Sequence, residues 1–551
     1  MTRSASNGAL RWLTGITLLG LLLRLPPMWA HRFHQDEALY AFWALLISTR
    51  RDIMLRTVPV DKPPFFLYVL ARFFTWFGPG EVTARLPGLI AGVLSIPLIY
   101  VLARRVYGAR AAWIAVALFT ASPMAILFSP TAFTDPLMLF FGIAACVAAM
   151  HGSWLLAGLG VGMAAVTKQQ GILFLPLVLM LGWVVHRPHQ ARHRQYVSPL
   201  PFASSLARSL RASLAVGHRL PLIARGDALP FTLPERWRPV MSLALFITGV
   251  AYPIWQAIRW DHWRYLPPDR PGFLKQSVIS YGGLYLAPIT AWPARVAEWL
   301  PWLGYLTGSP WLNAVLTIGL PWLAWRAWTR RHEVSSRVDL VLLGYGAAYM
   351  ALHIVADFQI WDRYLLPLTP IVALLGGRVL MAWGQAILDR CERWRGAYRR
   401  RTLAVALSVG LLVVLAGPAL TAAACGFPVG SDHGAYDGID QVAEFLKQEL
   451  PVGAVLYHRW LGWHWRYYLY DVLFNFRYYD STEALVADAD GPPHIVRYIV
   501  FPGWRLAERD AAEKALAARG LLMIPRFKTY RSDGTLSFVV YRIERAGADG
   551  R

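Results

Sequence analysis

Ionisable residues set beside apolar runs give this sequence its chemical possibilities: Asp36-Glu37, Asp61-Lys62, Asp135, Lys168, Asp357 and Asp362-Arg363. A carboxylate held beside a hydroxyl can take its proton, typically contributing about 10²–10⁴-fold in rate. Fixed cations stabilise charge developing on a departing phosphate, most strongly where water is scarce. On this reading Asp36 is the candidate base. Asp135 shares the role by orienting an acceptor or by tuning Asp36, since close carboxylates push each other's pKa values apart, and the two assignments are exchangeable. Lys62, Lys168 and Arg363 are the candidate phosphate-binding cations. Tyr40, Asp61, Asp357 and Asp362 are candidate contacts to a sugar or an acceptor.

Each residue also has a plainer reading. Asp36 could cap the helix that follows it, and Asp135, ahead of Pro136, has the sequence of an N-cap with proline at the first helical position. Lys168 at the end of an apolar run could snorkel to the headgroups. Lys62 before Pro63-Pro64 resists such an account, because it places a cation at a helix start, where the dipole disfavours it. Convergence weighs more than any single residue. Ionisable groups at membrane depth are costly and face a cavity or each other, so several at one level imply a shared polar site.

The elements that must position these groups are membrane helices. The 551 residues are 56% hydrophobic with 25 Trp, and the mean hydropathy is +0.38, which excludes an ordinary soluble enzyme. Stretches of about 20 apolar residues, enough to cross roughly 30 Å of hydrocarbon, predict eleven spans. They centre on 10–29, 86–103, 111–128, 136–151, 153–167, 171–186, 240–257, 309–326, 339–355, 364–384 and 403–422. The pair 136–151 and 153–167, separated by His151-Gly152, could instead be a re-entrant hairpin. The first run holds Arg24 and lacks a small-residue cleavage site, so it reads as a span rather than a removed signal.

With the N-terminus inside, Arg104, Arg105 and Arg110, then Arg326, Arg330 and Arg331, and then the run Arg390 to Arg401 all fall on the cytoplasmic side. The net charge of +22 thus reports orientation rather than nucleic-acid binding. Loop 187–239, with nine arginines against Asp227 and Glu235, also falls inside, where anionic headgroups would attract it. Loops 31–85 and 258–308 and everything after the last span face outward, and the ionisable clusters map to that same side. Within the first outer loop, Glu37–Ser48 and Pro63–Phe77 are apolar, aromatic and too short to span, so they are expected to lie in the interface. Another surface-lying helix is expected in the second. Tyr40, Phe65, Phe66, Tyr68 and Trp361 could stack on sugar faces, although aromatic belts at membrane interfaces are commoner.

From about Phe427 the apolar runs shorten to strand length. Strands are expected at Ala454–His458, Phe474–Tyr478, Tyr498–Pro502, Leu521–Thr529 and Leu536–Glu544, with helices near 436–449, 462–471 and 507–519. The fold class expected is therefore a polytopic α-helical membrane protein of about eleven spans over residues 1–425, followed by a small outer α/β domain over 426–551. Three cysteines, Cys146, Cys391 and Cys425, support neither a disulfide framework nor a zinc cluster.

Several motifs, in order and spacing, resemble the membrane glycosyltransferase family that includes protein O-mannosyltransferases and the aminoarabinose transferases of lipid A. They are Asp36-Glu37-Ala38-Leu39-Tyr40-Ala41, Asp61-Lys62-Pro63-Pro64, Ala84-Arg85-Leu86-Pro87-Gly88, Tyr107-Gly108, Thr134-Asp135-Pro136, Thr167-Lys168-Gln169-Gln170-Gly171 and Arg363-Tyr364-Leu365-Leu366-Pro367. The resemblance covers roughly residues 10–385. It implies the glycosyltransferase C-type fold, a polyprenyl-phosphate sugar as donor and inverting transfer at the outer face of a bacterial inner membrane. It also implies Asp36 as the catalytic aspartate with Glu37 supporting it, and Lys62 at the lipid phosphate; Arg85, Lys168, Arg363 and Tyr364 join Lys62 as candidates for binding the donor's phosphate and lipid. No cofactor is required by this chemistry, and a divalent metal remains compatible with it.

Gln169-Gln170 depart from the Gly-rich sequence many relatives carry there, and no sign of a trefoil-type domain is visible. The expected partners are the polyprenyl-phosphate-linked donor and membrane lipids, with no nucleic acid; the acceptor, whether lipid, glycan or protein, is left open, as is the sugar. A transporter of lipid-linked sugars is the alternative from another class. It would need mid-membrane polar residues and broken, repeated spans, whereas here the charges crowd one face. A third reading, an inert assembly subunit, stands against the intact acidic and basic set.

Overall fold

A computed structural model describes residues 2–186, 238–281, 285–430, 432–492 and 494–546. The basic loop predicted at 187–239 lies almost wholly outside the described residues. Long stretches form α1 (Thr2–Ala30), α4 (Glu81–Tyr107), α10 (Arg238–Trp263), α13 (Pro310–Thr329), α14 (Val334–Val355) and α15 (Thr369–Ala423), and α9 (Phe174–His186) continues from the 3-10 turn Gln169–Leu173. Shorter apolar ones form α5 (Ala109–Ala121), α6 (Pro123–Phe128), α7 (Asp135–Met150) and α8 (Trp154–Thr167).

All eleven predicted stretches are helical, but among the described residues seven helical stretches, two of them in the run that contains α15, are long and apolar enough to cross a membrane. The difference has local causes. Stretch 111–128 is interrupted at Ser122-Pro123, where proline begins a new helix. α7 and α8 have 16 and 14 residues, about 24 and 21 Å at 1.5 Å per residue. α13 is long enough, at 20 residues, but does not reach the required hydropathy.

The last two predicted spans lie in one unbroken helical run of 55 residues, about 80 Å if straight. Three contacts show that it reverses. Arg400 forms an ion pair with Glu392 at 3.1 Å and approaches Asp389 at 3.7 Å, too close for residues eight and eleven positions apart on a straight helix. The Gly430 N–H, just past its end, bonds Asp362, just before its start, at 2.9 Å.

Short helices occupy the connections. α2 (Gln35–Ser48) and α3 (Phe65–Phe77) stand where the first loop predicted them, and α11 (Phe273–Tyr281) and α12 (Trp292–Gly304) lie in the second. α2 opens with a capping box: the His34 ring accepts the Asp36 N–H at 3.0 Å, and the Glu37 carboxylate accepts the His34 N–H at 3.0 Å. Both orphan donors are satisfied without the Asp36 side chain.

Beyond α15, helices α16 (Ile439–Glu449), α17 (Gly462–Tyr468), α18 (Thr482–Ala489) and α19 (Leu506–Ala517) pack on a five-stranded sheet. Its strands are β1 (Val455–His458), β2 (Asn475–Tyr478), β3 (Arg497–Pro502), β4 (Leu521–Tyr530) and β5 (Leu536–Arg545), in the order β2-β1-β3-β5-β4. β2, β1 and β3 run parallel, and β5 pairs antiparallel with β3 and β4. Both faces are covered: Tyr498, Val500 and Val540 enter one core, and Ile499, Phe501 and Val539 the other, as period-two alternation requires. All five predicted strands are present; α18 is the element the sequence reading missed.

Candidate active site

Asp36 sits in the first turn of α2, and capping by His34 leaves its side chain free to face the bundle. There Arg363 Nη2 meets Asp36 Oδ2 at 2.7 Å. The Arg363 guanidinium is held 4.9 Å from the Phe133 ring centre and 5.3 Å from that of Trp361, a stacking its planar cation favours. Burial by itself would raise the Asp36 carboxyl. Arg363, then His34 and Lys62, overcome that and hold it down at about 2. Arg363 is 8% exposed at its side chain and Asp36 29%, so the carboxylate is the open member of the pair.

A second pair lies beside the first. Asp135 occupies the first turn of α7, and Lys168 links α8 to the 3-10 turn ahead of α9; Lys168 Nζ and Asp135 Oδ1 are 2.7 Å apart, with both side chains buried. The Lys168 ammonium also lies 4.8 Å from the Tyr364 ring centre. Burial pushes Lys168 down to about 8, with the charges of Arg363 and Lys62 adding to this and Asp135 opposing it. Lysine snorkelling and simple capping are both displaced by this pairing. Gly171 makes the turn possible, because a Cβ there would run into the backbone of Ala164 and Ala165. Gly88 on α4 plays the matching part below α7, where a Cβ would strike the carbonyls of Ser129 and Thr131 in the segment leading to Asp135.

Lys62 completes the set. Its ammonium bonds Asp61 Oδ2 at 2.8 Å and the Tyr281 hydroxyl at the end of α11, and it lies 5.8 Å from the centre of the buried Tyr40 ring. Gln169 fixes this loop by donating to the Asp61 carbonyl at 2.7 Å and to Ser277 at 3.2 Å. Three cations and three carboxylates thus meet at one end of the bundle. Buried ion pairs stabilise a fold little better than apolar packing of the same size, whereas perturbed titrating groups in one cavity mark functional sites.

Three of the candidate residues have other places. Glu37 is 1% exposed and accepts from Arg85 Nε at 3.2 Å, Arg85 Nη2 at 3.1 Å, the Ala132 N–H at 2.8 Å and the His34 N–H. Arg85, expected at the donor phosphate, spends its remaining donors on the carbonyls of Met28, His31 and Arg32. Neither has a valence left for a ligand, and the pair instead ties α1, α2, α4 and the segment before α7 together. Asp357 is 59% exposed and stands 3.6 Å from Arg295, outside the cluster. Asp362 is retained in an indirect capacity: it accepts the N–H groups of Arg363 and Gly430 at 2.8 and 2.9 Å, fixing the turn that aims Arg363.

The C-terminal sheet unit abuts this site. His464 of α17 bonds the Phe33 carbonyl at 2.9 Å and stacks on Tyr436, while His31 bonds Asp437 at 3.0 Å.

Residues 61–210 match the family model described as dolichyl-phosphate-mannose-protein mannosyltransferase. The chain is 25% identical over 328 residues to the undecaprenyl phosphate-alpha-4-amino-4-deoxy-L-arabinose arabinosyl transferase of Edwardsiella ictaluri, a stretch covering 56% of this chain and 48% of that one. The match therefore spans about half the length of that curated relative. Among solved structures, ArnT from Cupriavidus metallidurans bound to undecaprenyl phosphate superposes with a TM-score of 0.57 at 18% identity, covering 97% of this chain and 98% of that one. The Archaeoglobus fulgidus oligosaccharyltransferase in its apo form gives 0.50 at 14% identity, over 98% and 75%. Over part of its length the chain is similar to membrane glycosyltransferases that use polyprenyl-phosphate sugars. Its fold is their polytopic helical, glycosyltransferase C-type architecture.

Sequence reasoning missed the site's contributions from Tyr281, His34 and Phe133. Tyr281 had a signal, an aromatic ending a short helix in the second loop, but nothing local tied it to Lys62. His34 had a clearer one, since Glu37 three residues later completes a capping pattern.

Proposed function

We propose that this protein transfers a sugar from a polyprenyl-phosphate carrier to an acceptor at the outer face of a bacterial inner membrane. The observation that carries the reading is the meeting of Lys62, Lys168 and Arg363 with Asp36 and Asp135 in one water-poor cluster. In the reaction, the acceptor hydroxyl oxygen bonds the anomeric carbon, the bond from that carbon to the phosphate oxygen breaks, and the hydroxyl proton passes to Asp36. The carrier leaves as a phosphate monoester with one more negative charge, which the three cations stabilise. A single displacement of this kind inverts the anomeric centre.

A carboxylate held at about 2 is a weak base at neutral pH. When the donor phosphate draws Arg363 onto its own oxygens, Asp36 loses its strongest counter-charge and its affinity for a proton rises. Donor binding thereby arms the base. No metal is invoked, since the side-chain cations supply the charge. The acceptor, whether lipid, glycan or protein, is chosen by surfaces around this cluster, with the C-terminal unit the nearest.

A reconstituted assay tests the reading: purified protein in lipid receives radiolabelled polyprenyl-phosphate sugars and a membrane extract, with Asp36→Asn as control. Label should move to a new product with wild type alone. Label crossing the bilayer on an unchanged carrier would replace transfer with transport.

A further inference from the structure

Away from the Asp36 cluster, a cavity of about 550 Å³ opens between α2 and the C-terminal sheet unit. Its apolar wall includes Phe42 and Leu46 of α2 and Phe474 beside β2, while Arg51, Arg466 and Arg477 stand around it. Among the described residues no carboxylate lines it. Arg51 donates to the Tyr470 carbonyl at 2.7 Å and so bridges the two walls. Arg466 lies 5.9 Å from the Phe42 ring centre and 5.3 Å from that of Trp463. Among the described residues, neither the Arg466 nor the Arg477 guanidinium has a hydrogen-bond or ion-pair partner.

Three like charges around one cleft repel each other unless an anion lies between them, and guanidinium forks match phosphate oxygens in pairs. The apolar wall selects further. A free inorganic anion gains nothing from Phe42, Leu46 and Phe474, whereas an amphiphile buries its chains there. α2 is too short to span and is expected to lie in the interface, where basic clusters meet anionic headgroups. The cleft is also separate from the Asp36 site: Leu46 is ten residues along α2 from Asp36, about 15 Å at 1.5 Å per residue.

We propose that this cleft binds an anionic phospholipid, with its headgroup phosphate among Arg51, Arg466 and Arg477 and its acyl chains against Phe42 and Leu46. Because α2, α17 and β2 each supply part of it, the lipid pins the C-terminal unit to the helix that carries Asp36.

Full-length protein, stripped of lipid in neutral detergent, would be titrated with phosphatidylglycerol, phosphatidylcholine and inorganic phosphate, following bound lipid by native mass spectrometry and Tm by unfolding. Phosphatidylglycerol should bind and raise Tm, phosphatidylcholine should do so at least about tenfold more weakly, and R466Q/R477Q should weaken phosphatidylglycerol binding by about tenfold or more. Equal binding by the double variant overturns the proposal. So does inorganic phosphate that raises Tm as far as the lipid does. Should the double variant not fold, photoactivatable phosphatidylglycerol on wild type decides: adducts belong within 42–51 or 466–477, and adducts confined elsewhere refute the site.

Discussion

Arg363 holds Asp36 at 2.7 Å while Asp36 stays the more exposed of the two, so on the proposed reading base and cation are paired with each other until a substrate separates them. Asp36→Asn should keep the fold and lower transfer by two or more orders of magnitude, as expected for a lost base; near-normal turnover would remove Asp36 from that role. Arg363→Gln should cost a similar factor of about 10²–10³ through lost charge stabilisation. It should also release Asp36 from about 2 toward the ordinary carboxylate value near 3.9. The acidic limb of the kcat/KM profile would then move up in pH, and an unmoved limb would contradict the pairing.

Lys168 titrates at about 8, so its charge is present below that pH and lost above it. With donor binding dependent on that charge, kcat/KM should fall as pH rises through about 8. The kcat limb should lie higher, because bound phosphate favours the ammonium. Lys168→Arg, always charged, should remove the limb even if it lowers the plateau. A limb that survives in this variant belongs to another group.

The Glu37–Arg85 pair predicts a different signature. Glu37→Gln leaves the buried Arg85 without its counter-charge, a loss of about 3–5 kcal/mol for a pair of this kind. The expected readout is a lower Tm and yield, while protein that remains folded keeps most of its turnover. A normal Tm with abolished turnover would return Glu37 to the chemistry.

His31 and Asp437 join the end of α1 to the C-terminal unit. The hydrogen bond to Asp437 is the main cause that raises His31 to about 9, with Cys425 assisting and burial opposing. Since the folded value lies above the unfolded 6.5, this pair stabilises fully below about 6.5, and the contribution disappears as pH rises through about 9. Limited proteolysis after α15 should accelerate across that window in wild type. In Asp437→Asn it should already be fast at pH 6 and change little.

The charged residues that matter could be picked out before any coordinates, because carboxylates and lysines beside apolar runs are too costly to be incidental. Composition and apolar length fixed a helical membrane chain, and the shortening of the apolar runs to strand length located the five strands of the C-terminal unit. Local sequence also placed α2 and α3, each too short to span. The reversal inside α15 illustrates a limit: apolar length marks two stretches at 364–384 and 403–422, but only the contacts of Arg400 with Asp389 and Glu392 reveal how the chain turns.

Which carboxylate meets which cation was a tertiary decision. Asp36 and Arg363 are distant in sequence, as are Asp135 and Lys168, and neither spacing contains the pairing. Glu37 and Arg85 look like site residues by type and motif, yet packing of α1 against α4 surrounds Arg85 with carbonyls and consumes Glu37. Sequence determines which groups are expensive to bury; only the fold decides whether each is neutralised by a permanent partner or by one that a substrate can displace.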